Sequence, residues 1–240
     1  MARSLSILKT AGFEWPNHNV IYRRSASQNN ASIRFPKELD MKVLLIGASG
    51  VVGSAVLAEL ARRHEVLTAG REHGEYRVDI TRDDSVEALF KAVGAVDAIV
   101  STAGSLFFGP LETMRPADFN IGLQNKLLGQ VRLALLGQHA LRDGGSITLT
   151  TGIVADEPIR QGANATAVNS AVEGFVRAAA IELPRGARIN AVNPTLLTES
   201  VGVYGAVFPG FETVPAARVA LAYVRSVEGA QTGRVYRVWQ

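Results

Sequence analysis

The run Gly47-Ala-Ser-Gly50-Val-Val-Gly53 constrains this chain more than any other feature, because of what stands on either side of it. Before it, Val43–Ile46 is a continuous apolar run of the kind a parallel strand buried on both faces requires. After it, Ser54–Arg63 is amphipathic, with Val56, Leu57 and Leu60 on one side. A strand, a glycine turn and a helix in that order make a cradle for phosphate. Glycine permits backbone angles closed to other residues and lets the main chain approach a pyrophosphate. The helix N-terminus adds free N–H groups and partial positive charge. The spacing is G-x-x-G-x-x-G, which alone is also compatible with a bare tight turn; the flanking elements favour nucleotide binding through Gly47, Ser49, Gly50, Val51, Val52 and Gly53.

The elements that follow extend the same pattern. Glu65–Ala69 reads as a second strand ending in Gly70-Arg71. An acid at that end would accept the ribose 2′-hydroxyl of NAD, whereas an arginine suits a 2′-phosphate. Arg71 therefore favours NADP, with NAD still possible and a solvated surface arginine as the plain alternative. Tyr76–Ile80 reads as a third strand, too close to Arg71 for the crossover of about a dozen residues that parallel strands need, so that crossover helix is missing or reduced. Asp83–Val93 carries Val86, Leu89, Phe90 and Val93 at helical spacing. Further strands are expected at Asp97–Val100, Ser146–Thr150 and Arg188–Val192. The alternation predicts an α/β fold, a doubly wound parallel sheet forming one domain over residues 41–240.

Residues 1–40 do not join this pattern. They show no sustained periodicity and carry a polar stretch from Arg23 to Ser32, which reads as a poorly ordered extension. Met41 immediately precedes the first strand and is an alternative start; a targeting segment is the other reading, since the extension is rich in Arg and Ser. The extension holds six Lys or Arg against three acids, leaving 19 of each sign in the rest, so the net charge of +3 does not describe a basic binding face. No nucleic-acid partner is expected. The four histidines lack ligand spacing and there is no cysteine, so no metal site or thiol chemistry is expected. No apolar run approaches the roughly 20 residues of a bilayer span, and a cytoplasmic protein without a membrane partner is expected.

Taken in order, these residues resemble the short-chain dehydrogenase/reductase family, which has a Rossmann fold. Val78-Asp79-Ile80 looks like its adenine-contacting segment, and Ser101-Thr-Ala-Gly104 stands where it has Asn-Asn-Ala-Gly. Ile189-Asn-Ala-Val-Asn-Pro194-Thr-Leu-Leu-Thr198 is similar to its Asn-x-x-x-Pro-Gly-x-x-x-Thr segment. The resemblance implies cofactor contacts from Asp79, Ile80, Ser101, Ala103, Gly104, Pro194, Thr195 and Thr198. The family's catalytic serine, tyrosine and lysine fall at Gly152, Ala165 and Asn169, so all three are absent, as in a subgroup lacking these residues. The family's supporting asparagine falls at Lys126, as if lysine and asparagine had exchanged helices. Lys126, Asn169 and the carbonyl-polarising candidate Thr151 are the expected catalytic residues, with Asn164 and Thr166 flanking the vacant tyrosine position. A solvated helical lysine is the alternative for Lys126.

Three functions remain open at this point. The resemblance implies an NADP(H)-dependent oxidoreductase acting on a small apolar carbonyl or alcohol. A non-redox isomerase, cyclase or dehydratase, or a silent dinucleotide sensor or scaffold, are the rivals. Glu199–Pro215 matches the family's substrate lobe and is apolar, and Ser170–Leu183 resembles its dimerisation helix, which implies a homodimer or homotetramer.

Overall fold

Strand β1 (Lys42–Ile46) lies inside the sheet, flanked by a strand on each side, and its period of two decides the layering. Val43 and Leu45 face one side of the sheet, Leu44 and Ile46 the other, and all four are buried. A strand apolar on both faces needs helices on both. The computed structural model describes residues 40–239 and supplies them. The reading of residues 1–40 lies outside the described residues, apart from Asp40.

In chain order the elements are α1 (Val51–Leu60), β2 (Glu65–Gly70), β3 (Tyr76–Arg77), α2 (Asp83–Val93), β4 (Val96–Ser101), α3 (Pro116–Gly122), α4 (Gly129–Gly137), β5 (Leu141–Thr150), α5 (Ala163–Ala179), β6 (Arg188–Pro194), α6 (Val201–Tyr204), α7 (Ala216–Glu228) and β7 (Val235–Val238). All seven strands are parallel, in the order β3-β2-β1-β4-β5-β6-β7. Val43, Leu45, Val56, Leu60, Tyr223 and Val227 close one layer, where α1 and α7 pack on the sheet. On the other, α2, α4 and α5 bury Val86, Phe90, Leu133, Val172 and Val176 against Leu44 and Ile46. The chain order reverses at β1 and β4, and open sheets of this kind bind ligands at that point, beyond the carboxyl ends of the strands.

Several boundaries differ from the sequence reading. Helix α1 starts at Val51 rather than Ser54, because Gly53 packs inside its first turn. The third strand is only Tyr76–Arg77, since Val78 and Ile80 turn into the core. Helix α5 begins at Ala163 and ends at Ala179. The short edge strand β7 has no counterpart in the sequence reading. Among the described residues no helix is long and apolar enough to cross a membrane.

Candidate active site

The glycine turn is built by close approach. Gly47 has φ +92°, and a Cβ there would lie 2.9 Å from Ala103 N and Thr102 Oγ1. The Thr102 hydroxyl lies 3.1 Å from the Ile46 carbonyl and 3.0 Å from that of Gly47, tying the turn after β4 to the turn after β1. At Gly53 a Cβ would fall 2.0 Å from Gly47 O. Gly50 is different: its Cβ would meet only Gly47 O, at 3.6 Å. The protein leaves space there that it does not itself need. Gly50 caps α1 without a side-chain hydrogen bond, and the first turn holds no acid, whereas α2 begins with Asp83 and Asp84. The N–H groups of Val51, Val52 and Gly53 thus have no acceptor among the described residues, and Ser49 lies exposed beside them.

Arg71 stands exposed directly after β2. Asp79 accepts from the Thr81 hydroxyl (2.7 Å) and amide (2.9 Å), which hold its carboxyl below the usual range, the hydroxyl bond contributing most. Ile80 is buried in the core, where Gly129 packs on it closely enough that a Cβ would come within 2.8 Å. Ser101 is fully buried at the end of β4.

The main cavity opens beyond β4, β5 and β6 and has a volume of about 500 Å³. Lys126, Thr151 and Asn169 all line it, with Gly104, Pro194 and Thr195. Three elements far apart in sequence therefore bring the three expected catalytic residues together. Thr198 is not in its wall; its hydroxyl bonds to that of Thr213.

Lys126 reaches the cavity from a π-helical segment, Leu123–Leu128, set between α3 and α4. Such segments insert an extra residue and re-aim side chains, and they recur at functional sites. The segment lies tight against its neighbours: a Cβ at Gly122 would strike Asn164 Oδ1 at 2.2 Å, and one at Gly104 (φ +130°) would strike Lys126 itself at 2.9 Å. As a result Lys126 is only 9% exposed, which excludes the solvated reading. Its ammonium makes one long contact, 3.5 Å to the Thr151 carbonyl. Burial lowers its pKa to about 8, with no carboxylate in the cavity wall to counter the loss of water.

Asn169 donates to the Ala165 carbonyl at 2.8 Å, and its Oδ1 is buried without a partner. An unpaired buried acceptor costs about 1–3 kcal/mol, which a ligand hydroxyl would offset. The Thr151 hydroxyl points elsewhere, donating to the buried Glu173 carboxylate at 3.0 Å, which Asn193 also reaches at 2.8 Å. A proton committed to a carboxylate is poorly placed to polarise a substrate carbonyl. Gly152 is extended, and Ala165 is sealed among Ile153, Val154 and Leu106, so hydrocarbon fills the vacant tyrosine position. Asn164 is spent on Phe107 N and the Phe119 carbonyl, and the buried Thr166 hydroxyl has no partner. Sequence reasoning missed Glu173 and Phe108, whereas Tyr204, inside the expected substrate lobe Glu199–Pro215, lines the cavity from α6.

The family described as enoyl-(acyl carrier protein) reductase matches residues 44–232, and the chain belongs to the short-chain dehydrogenases/reductases. It is similar to the protein lin1944 from Listeria innocua, with 52% identity, a TM-score of 0.82 and coverage of 83% of this chain and all of that one. A small-chain dehydrogenase solved in complex with NADPH is 25% identical, with a TM-score of 0.75, covering 83% of this chain and 96% of the other. Hydroxynaphthalene reductase arp2 of Aspergillus fumigatus is 29% identical over 181 residues. That match covers 65% of this chain and 66% of the relative, so the chain spans just under two thirds of that relative's length.

Proposed function

We propose that this protein is an NADP(H)-dependent oxidoreductase acting on a small apolar carbonyl or alcohol, with Lys126 taking over electrostatic and proton-donating work in a rebuilt site. The observation that carries this reading is a buried ammonium sharing one cavity with an unpaired buried acceptor, Asn169 Oδ1. The cradle supports a dinucleotide: three free N–H groups at the start of α1 would donate to phosphates, and Gly50 leaves the room for them. Arg71 would pair the 2′-phosphate, Asp79 would meet the adenine side and Asn169 Oδ1 would accept a hydroxyl. A bound nicotinamide supplies the hydride, so the chain's residues need only orient substrate and manage charge. Below pH 8 Lys126 is mainly an ammonium, able to stabilise a developing oxyanion or give it a proton. The NADPH complex of the small-chain dehydrogenase supports the cofactor choice. Cytoplasmic placement and a homodimer or homotetramer belong to the same reading.

Calorimetric titration with NADPH and NADH tests the first half. NADPH is expected to bind at least tenfold tighter, with Arg71→Ser removing that preference; binding of neither nucleotide sinks the proposal. Turnover of NADPH over a panel of aldehydes, ketones and enones tests the second. The commitment of Thr151 to Glu173 and the sealed Ala165 favour one rival, a silent dinucleotide sensor, which would bind NADPH and never oxidise it.

A further inference from the structure

An amine becomes a nucleophile when it can shed its proton, is free of an ion pair and lies within reach of an electrophile. The surroundings of Lys126 meet these conditions. Its stem is held by Gly104, where a Cβ would fall 2.9 Å from the Cα, Cβ and Cγ of Lys126. The ammonium at the end of that stem makes one long hydrogen bond, 3.5 Å to the Thr151 carbonyl. Among the described residues no carboxylate holds it. Of the charged groups on the helices packed against the π segment, Asp118 of α3 pairs with Arg115, and Arg132 of α4 with Asp83. Glu173 of α5 accepts from Thr151 and Asn193, with Arg177 3.9 Å away. In the cavity wall Tyr204 is the other titratable side chain. Burial without an anion is what brings the amine down to about 8. A cavity of about 500 Å³ suits a small molecule, and Leu106, Ile153, Val154 and Leu196 line it with hydrocarbon. Such a wall favours condensation, because the reverse reaction consumes water.

We propose that Lys126 is also a covalent nucleophile, whose Nζ condenses reversibly with a small aldehyde or unhindered ketone in this cavity. The lone pair of the free amine forms the C–N bond, and the carbonyl oxygen takes up protons and leaves as water. The net change is ammonium plus carbonyl to iminium plus water, so no oxidant, reductant or cofactor enters. Asn169 Oδ1, buried without a partner, offers an acceptor for the hydroxyl of the carbinolamine that precedes loss of water. The iminium withdraws electrons from the adjoining C–H bonds, which opens proton shifts at the carbon beside the carbonyl. This goes beyond the hydride transfer proposed above. It shares with that reading the entry of carbonyl compounds into the cavity, and it needs no nucleotide.

The test treats the full chain, without nucleotide, with butanal and cyanoborohydride, which reduces an iminium to a stable butyl-lysine, and maps the peptides by mass spectrometry. Lys91, exposed on α2, is the internal reference. At pH 7 an amine of pKa about 8 is roughly one-tenth free, and an ordinary lysine less than about one-thousandth. A weaker base is also a weaker nucleophile, which removes part of that advantage. Lys126 should still be alkylated at least about tenfold faster than Lys91, with its rate half-maximal near pH 8. A second measurement needs no reductant: 2,4-pentanedione condenses with an amine to a conjugated enaminone. The wild-type protein should gain the near-ultraviolet absorbance of that product, and Lys126→Met should not. Alkylation of Lys126 no faster than that of Lys91, an enaminone absent from the wild type, or one retained in Lys126→Met each overturns the inference. The two readings fail separately. A reactive Lys126 in a protein that binds neither NADPH nor NADH would sustain the nucleophile and end the oxidoreductase reading; NADPH turnover with an unreactive Lys126 would do the reverse.

Discussion

Lys126 is the residue whose environment departs furthest from what helical lysines normally meet. Its side chain is buried, its contact with the Thr151 carbonyl is long, and no anion repays the lost hydration. The ordinary value of 10.5 falls to about 8 in the folded protein. Because the folded pKa is the lower one, the unfolded chain binds more protons between pH 8 and 10.5, and stability rises with pH across that window. Below pH 8 the burden is constant and of order 3 kcal/mol. Lys126→Met fills similar volume without the charge, so it should raise the thermal midpoint by several degrees at pH 7, an advantage that fades between pH 8 and 10.5. Tyr223, whose hydroxyl burial pushes well above the usual phenol range, is common to both proteins and drops out of the comparison. The same substitution should cut turnover by about 10²–10⁴-fold. A variant no more stable than the wild type would refute the buried-ammonium account, and unchanged turnover would refute its role in the reaction.

Among the elements, the turn from β1 into α1 separates a glycine needed for folding from one needed only for a ligand. Gly50→Ala adds a methyl group that meets nothing closer than Gly47 O at 3.6 Å, at backbone angles any residue adopts. It should change stability by less than about 1 kcal/mol, since the lost unfolded-state entropy and the poorer N-cap of alanine oppose each other, and weaken NADPH binding by at least tenfold. Gly53→Ala drives a methyl into the Gly47 carbonyl and should cost at least about 1–3 kcal/mol in urea unfolding. Equal loss of stability in both variants would contradict this division. The turn was legible in the sequence because its strand, glycines and helix are contiguous. Helix α2 was legible to the residue, since Val86, Leu89, Phe90 and Val93 repeat at the helical period and an acid pair opens it. Strand β7 was not: four residues interrupted by Arg237 carry too little pattern, and only pairing with β6 makes them a strand. Nor was the π segment, whose extra residue leaves no mark in composition. The resemblance brought Lys126, Thr151 and Asn169 to one place on paper, but the direction of the Thr151 hydroxyl depends on Glu173, 22 residues further on in α5.

At the scale of the whole molecule, the sheet order puts every loop that builds the site at one edge, and leaves α4 and α5 to form an outer face. Between them lies a groove of about 270 Å³ lined by Leu135, Phe175 and Leu183, with Gln138 and Glu182 at its polar margin. Leu135 is half exposed and Ile181, just beyond α5, is 87% exposed. The core does not need these side chains, since α4 and α5 already bury Leu133, Val172 and Val176 against the sheet. Apolar groups left over on two adjacent helices favour a second copy of the same face, because a twofold axis repeats each of them across the contact. The proposed homodimer would need roughly 1,200–2,000 Å² of buried surface, more than this groove alone and within reach of two full helices per subunit. Analytical ultracentrifugation should find a dimer or tetramer at micromolar concentration. Leu135→Glu combined with Ile181→Lys should shift it to the next smaller species, while NADPH affinity changes by less than about twofold. That insensitivity is the informative part: Leu135 and Ile181 lie outside the cavity wall, so a dissociated protein that still binds nucleotide would show each subunit's cradle to be complete. A wild-type protein that sediments as a monomer, or a variant that stays assembled, would rule out this face.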